Sequence, residues 1–307
     1  MKRRDFIKTS VNASVAASAA ITFGNINTLF ANPGGNPLLP YDLVAVRNGE
    51  PDAMFDKAIE SLGGMKAFVK QGQTVVVKPN IGWDVSPERA GNTNPQLIKR
   101  IVEQCFNAGA KDVFVFDNTC DDWNKCYKTS QIEDLAKQAG AKVVPGNSES
   151  YYKEVSIPNG LKLKNAKVHE LILDSDVFIN VPVLKHHSSA DLSIAMKNLM
   201  GVVWDRMYWH RNDLHQCIAD YCTHRLPDLN VIDAYRVMMK NGPRGISVSD
   251  VVEYKTQIVS TDIVAADAAA AKVFGSDPED VSYIIKAADL GVGTYNLESL
   301  NINRIKL

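Results

Sequence analysis

Short apolar runs alternate along the chain with stretches whose apolar residues recur at helical spacing. This alternation predicts an α/β protein with a largely parallel sheet and helices on both faces. The apolar runs at residues 43–46, 74–77, 113–116, 142–144, 177–181, 229–232 and 256–259 are the predicted strands. Between them, residues 54–62, 132–139, 192–200, 214–226 and 263–274 are predicted helices. A further helix starts at Asn94-Pro95, with Asn as cap and Pro in the first turn. Its Ile98, Ile101, Val102 and Cys105 share one face, and Gly109 stops it. Residues 151–167 are polar and rich in turn formers, so they are expected to form an excursion or a domain edge. Residues 43–307 are then a single domain, of one α/β lobe or of two that meet near residues 150–170. No internal repeat appears.

The N-terminus departs from this pattern. MKRRDFIKTS is basic, and VNASVAASAAITF behind it is weakly apolar, too short and too polar for a stable membrane anchor. Arg3 and Arg4, followed by Phe6, Ile7 and Lys8, resemble the twin-arginine leader. Residues 1–31 are expected to be a signal peptide cleaved after Ala31, and 32–42 a linker. The implied partner is the twin-arginine translocase during export, and the implied location is the periplasm. No cysteine precedes Cys105, so no lipid attachment behind the leader is expected.

Charge narrows the partners. The chain carries −1 in all, and Lys2, Arg3, Arg4 and Lys8 against Asp5 give the leader a net +3, so the remainder sits near −4. That balance gives no electrostatic footprint for nucleic acid. The five cysteines, Cys105, Cys120, Cys126, Cys217 and Cys222, include no C-x-x-C pair, so neither a zinc ribbon nor an iron–sulfur motif is present. Cys120 and Cys126 flank a loop and could form a disulfide in an oxidising compartment, while buried free thiols are the reading for most of the five.

Candidate chemistry gathers where the predicted strands end, because ligands of parallel α/β sheets bind outside the carboxyl ends of the strands. These ends are Lys78-Pro79-Asn80, Asp117-Asn118-Thr119, Lys185-His186-His187, Asp233 and Ser260-Thr261-Asp262. Asp, Asn, Ser and Thr at such places are also ordinary helix caps, and Asp262 before the 263–274 helix reads as one. Capping does not explain Lys78 or Lys185, since neither accepts a hydrogen bond. Both are therefore candidate ligands for an anion, with no acidic partner evident for either. His186 and His187 would point to opposite faces of a strand, so at most one of them enters the site. His187, His210 and Asp233 are candidate ligands for a divalent metal; the alternative is that each histidine is separately hydrogen-bonded. Lys197-Asn198 is either a second pair of ligand contacts or the polar side of a helix. Asn241-Gly242-Pro243-Arg244-Gly245 is a turn whose glycines admit a close approach, and Gly291-Val292-Gly293 is another loop. The phosphate-loop, serine-hydrolase and zincin motifs are all missing.

In order, VVVKPN, GNTNP, VFVFDN, INVPVLKHH, LSIAMKNLMGVV, VIDAYR with NGPRG, and VSTDIVAADAAAAKVFG resemble the family catalogued as domain of unknown function 362. The resemblance spans about residues 43–293. It places the family's lysine-to-histidine motif on Lys185 and His187, its Lys-Asn pair on Lys197-Asn198, its aspartate before a Gly-Pro turn on Asp233, and its Ser-x-Asp on Ser260 and Asp262. His186 stands where the family commonly has a small residue, and Val183 where it often has Lys. Some relatives carry ferredoxin-like cysteine clusters, which this chain lacks.

These readings imply an enzyme or cofactor-dependent protein acting on a small anionic metabolite. Lys78, Asn80, Asp117, Lys197 and Asn198 would contact the substrate, and Lys185 and His187 would act on it, His187 as general acid/base. The alternative is a non-catalytic periplasmic protein that binds a metal or metabolite with the same residues. The reaction and the cofactor are left open.

Overall fold

Val75, Val76 and Val77 are all fully buried, which requires a strand covered on both faces. The computed structural model describes residues 39–307; the predicted leader and most of the linker, residues 1–38, lie outside the described residues. The strands are β1 (Leu43–Arg47), β2 (Thr74–Pro79), β3 (Asp112–Val115), β4 (Lys142–Val143), β5 (Tyr152–Ser156), β6 (Asn165–His169), β7 (Val177–Val181), β8 (Val183–His187), β9 (Asp191–Ser193), β10 (Leu229–Met238), β11 (Val251–Ser260) and β12 (Ile302–Lys306). The α-helices are α1 (Pro51–Ser61), α2 (Pro95–Ala108), α3 (Trp123–Thr129), α4 (Ile132–Gln138), α5 (Glu170–Asp174), α6 (Ala195–Asn198), α7 (Arg206–Arg211), α8 (Leu214–Tyr221), α9 (Ile263–Phe274) and α10 (Ser282–Asp289).

Ten strands form one sheet in the order β12-β1-β11-β10-β7-β2-β3-β4, with β8 on β10 and β9 on β8. The pairings from β10 through β7, β2 and β3 to β4 are parallel, whereas β11 runs antiparallel to both of its neighbours. The sheet is thus mixed and mostly parallel. Alternation along β2 sends Val76 into the core under α8, α9 and α10, and Val75 and Val77 into the core under α1 to α4. Residues 39–307 form one compact unit. The polar 151–167 stretch holds the antiparallel hairpin β5–β6, tied to the rest through buried Tyr152 and Val168.

Local chemistry sets several boundaries as predicted. The Asn94 side chain accepts from the Gln96 amide at 3.0 Å, Pro95 opens α2, and Gly109 closes it at φ 106°. Asp262 caps α9 by accepting from the amides of Val264 and Ala265 at 2.8 and 2.9 Å. Three expectations are corrected. Residues 192–200 are not one helix, because Leu192 pairs into β9 against β8, and α6 starts only where the buried Asp267 carboxylate takes the amides of Ala195 and Met196. β10 does not end at Asp233 but continues to Met238. Ser260-Thr261-Asp262 does not join Lys78 in one crevice, because β11 is antiparallel and its end, three strands from β2, pairs with the start of β10; there Asp262 holds the loop after Gly293 through the Thr294 amide.

Candidate functional site

At the carboxyl ends of β2, β3 and β8 lies a cavity of about 480 Å³ whose lining includes Lys78, Asn80, Asp117, Lys185, His187, Lys197, Asn198 and His210. Every candidate site residue is therefore brought together except Asp233. The reason is alternation. Asp233 lies two residues from Val231 and Tyr235, which pack under α1 to α4, the face away from Lys78 and Val76. Its carboxylate accepts from the amides of Asn94 at 2.7 Å and Tyr235 at 3.0 Å, so it holds the α2 entry loop. Burial, opposed by those amides, raises its pKa to about 6. The rings of His187 and His210 stack with centroids 6.4 Å apart, but no group of three or more His, Cys, Asp or Glu among the described residues is placed to hold a metal. The metal trio is not assembled.

Lys78 is fully used by the protein. Its Nζ donates to Pro79 O at 2.7 Å and Asn198 Oδ1 at 2.9 Å, and pairs with Asp117 Oδ1 at 2.8 Å. Those contacts take all three ammonium protons. The acidic partner missing from the sequence reading is thus Asp117, held in turn by the Ile81 amide at 2.6 Å. Burial lowers the Lys78 pKa and Asp117 opposes the shift. Gly201 leaves the room for this pair, since a Cβ there would lie 1.9 Å from Asp117 Oδ1 and 2.5 Å from Lys78 Nζ.

Lys185 and Lys197 differ from Lys78 in having no carboxylate. Lys185 is 1% exposed, and its Nζ donates to Asn80 Oδ1 at 3.2 Å and to the Gly91 carbonyl, both neutral. The Nζ of Lys197 has only the Met200 thioether at 3.0 Å. Burial lowers Lys185 to about 7 and Lys197 to about 8, and neighbouring cations add to both shifts. Arg206, on α7, adds a guanidinium that donates to the carbonyls of Asn118 at 2.7 Å and Thr119 at 2.6 Å and still has N–H groups left.

His187 has a defined tautomer. Its Nδ1 accepts from the Ser189 amide at 3.2 Å, so the neutral ring carries its proton on Nε2. Burial, then Lys197 and Lys185, push its pKa down to about 2. It is therefore a neutral N–H donor rather than a proton-exchanging base at ordinary pH. His186 faces the other way, its Nδ1 accepting from the Gly242 amide at 3.1 Å, while Pro243 of the same turn lines the cavity.

Behind the lysines runs a one-way chain of side-chain amides. Asn80 donates to Asn198 at 3.0 Å, Asn198 to Asn180 at 2.9 Å, Asn180 to Asn230 at 3.0 Å, and Asn230 to the Ser260 carbonyl at 3.5 Å. Lysine nitrogens donate at one end and a carbonyl that only accepts closes the other, which fixes every amide orientation between them. Asn80 thus presents its oxygen to Lys185.

Gly201, Arg206, Asp267, Asn180 and Asn230 were missed by sequence reasoning. Gly201 and Asp267 stood inside quoted motifs without a distinguishing signal. Cys120 lines the cavity as an exposed free thiol, and the other four cysteines are buried and free, so Cys120 and Cys126 are not bridged.

The fold and the site define an α/β protein with a cavity lined by lysines and Arg206 at the ends of its parallel strands. The model of the family described as "Domain of unknown function (DUF362)" matches residues 75–272, and the chain belongs to this family. A thylakoid-associated protein of Synechocystis is 25% identical over 242 residues, 76% of this chain and 73% of that protein. Among solved structures, the lactate racemase apoprotein of Thermoanaerobacterium thermosaccharolyticum has a TM-score of 0.44 at 13% identity, covering 69% of this chain and 53% of its own. A Thermotoga maritima protein has a TM-score of 0.49 at 12% identity, covering 74% and 60% respectively. The chain thus spans less than two thirds of either solved structure.

Proposed function

We propose that the cavity is the ligand site of an enzyme acting on a small anionic metabolite. The carrying observation is that buried Lys185 and half-buried Lys197 share it without a carboxylate partner. Buried cations repel one another, and an anion between them removes that cost. Lys197 and Arg206 hold the carboxylate or phosphate. Lys185 is the group that exchanges a proton with the substrate, being the one whose pKa lies closest to neutrality, and the His187 Nε2–H donates to oxygen charge that develops during reaction. This reading gives Lys185 the proton transfer that the sequence analysis assigned to His187.

Thermal unfolding with orthophosphate, pyruvate and succinate as probes tests this reading. A probe at a hundred times its Kd should stabilise the parent by about 2.7 kcal/mol. The shift should shrink as salt rises and vanish in Lys197→Met. If no probe shifts the parent, or the variant responds equally, the cavity is not an anion site. Binding without turnover in any substrate screen would favour the non-catalytic alternative.

We also propose twin-arginine export to the periplasm, supported by Arg3-Arg4 with Phe6, Ile7 and Lys8. Among the described residues no helix is long and apolar enough to cross a membrane. Changing Arg3 and Arg4 together to Lys should leave a full-length precursor in the cytoplasm. Unaltered processing in a strain without that translocase would refute the assignment.

A further inference from the structure

We propose that Lys185 is a carbonyl-reactive amine, and that the substrate class of the cavity is a small 2-oxo acid held as an imine on its Nζ. This rests on the anion-binding reading above and specifies what the anion must also carry. Four features of the geometry lead to it.

Lys185 lines the cavity, yet the residue is almost sealed from bulk water at 1% exposure. Its two acceptors, Gly91 O and Asn80 Oδ1, are neutral, so nothing anionic locks it as an ammonium as Asp117 locks Lys78. Desolvation beside other cations is one of the ways a lysine is made nucleophilic. Two N–H donations also match a neutral amine: its two protons are engaged and its lone pair has the remaining direction. The amide chain ending at the Ser260 carbonyl prevents Asn80 from rotating to offer its NH2 group instead, because that would set two donors against each other. His187 stands two residues along β8, on the same face of the strand, with its proton on Nε2. A polarising N–H and an amine therefore flank one cavity, with Lys197 and Arg206 for the carboxylate.

The step balances within these groups. The Nζ lone pair forms a bond to the keto carbon while the carbonyl π pair moves to oxygen, where the His187 N–H stabilises it. One amine proton passes to that oxygen. The second leaves with it as the carbon–oxygen bond breaks, so one water departs and the carbon–nitrogen double bond forms. Protonation of the imine from solvent restores one N–H for the waiting acceptors, and the substrate carboxylate balances the new positive charge. No oxidant or metal is required.

The full-length protein incubated with pyruvate and sodium cyanoborohydride should gain one carboxyethyl group, located on Lys185 by peptide mapping. Propionate, which has the carboxylate but no keto group, should give no adduct and should slow labelling as a competitor. Lys185→Arg, which keeps the charge but cannot form the imine, should lose the label. Adduct confined to exposed lysines, or no adduct at pyruvate concentrations that do shift the melting temperature, overturns the proposal and leaves the anion site standing. No thermal shift and no adduct removes both. Because mapping is done on the parent protein, the result stands even if the variant folds poorly.

Discussion

Lys78→Met should destabilise the protein by about 3–5 kcal/mol, since removing one partner of a buried ion pair leaves the other charge uncompensated. A fall in melting temperature on the order of 10 °C is expected for a domain of this size. The stranded group is Asp117, 3% exposed on its side chain and within 2.8 Å of the missing nitrogen. Asn198 and the Pro79 carbonyl lose their donor as well, so the Lys197-Asn198 helix loosens on the same substitution. The double variant Lys78→Met/Asp117→Asn should recover a large part of the loss, because no charge is left buried. Thermal unfolding of the two variants measures this directly. An unchanged melting temperature for Lys78→Met would mean that the pair is not formed. Sequence alone favoured the opposite result, because Lys78 looked like a free cation.

Lys185→Met should behave the other way, and its effect should depend on pH. Burial lowers the Lys185 pKa to about 7, so between that value and its unfolded value near 10.5 the folded state binds fewer protons than the unfolded one. Stability of the parent from this group therefore rises with pH through that window, and the penalty of burying the amine is complete below it. The groups acting on Lys185 are Cys120 and Asp117, which favour the ammonium, and Lys197 and Lys78, which oppose it. Methionine does not titrate. The stability of Lys185→Met relative to the parent should be most favourable near pH 6 and decline toward pH 10, by on the order of 3 kcal/mol. Lys197, lowered to about 8, leaves a residual slope of the same sign in both proteins. Denaturant melts at several pH values read the difference, and a difference independent of pH would show that Lys185 titrates as an ordinary lysine. Any activity on a 2-oxo acid should be abolished by this substitution at every pH.

Much of the frame was legible because its signals are local. The Asn94-Pro95 start, the Gly109 and Gly275 stops and the buried valine run each act within a few residues. The lysines were legible by elimination, since a cap must accept and lysine cannot. What failed was what depends on partners distant in sequence. The direction of β11 is set by pairing with β1 and β10, so the position of Asp262 relative to Lys78 could not be read from a strand-end pattern. Asp233 was taken as a strand end because the apolar run stops there, whereas β10 continues and parity sends its carboxylate to the other face. Asp267 reads as one acidic residue in an alanine helix, but it is the group that starts α6 and so presents Lys197 and Asn198. Gly201 matters only through the ion pair packed against it.

The central claim is that one cavity gathers these cations to hold an anion, and the most direct measurement is anomalous diffraction from a crystal soaked in selenate. The account predicts a selenium peak inside the cavity, about 4 Å from Lys197 Nζ and from the free N–H groups of Arg206, with selenate oxygens at hydrogen-bond distance between them. It also predicts loss of that peak in Lys197→Met. Selenate bound only at exposed surface lysines, with none in the cavity, would contradict it.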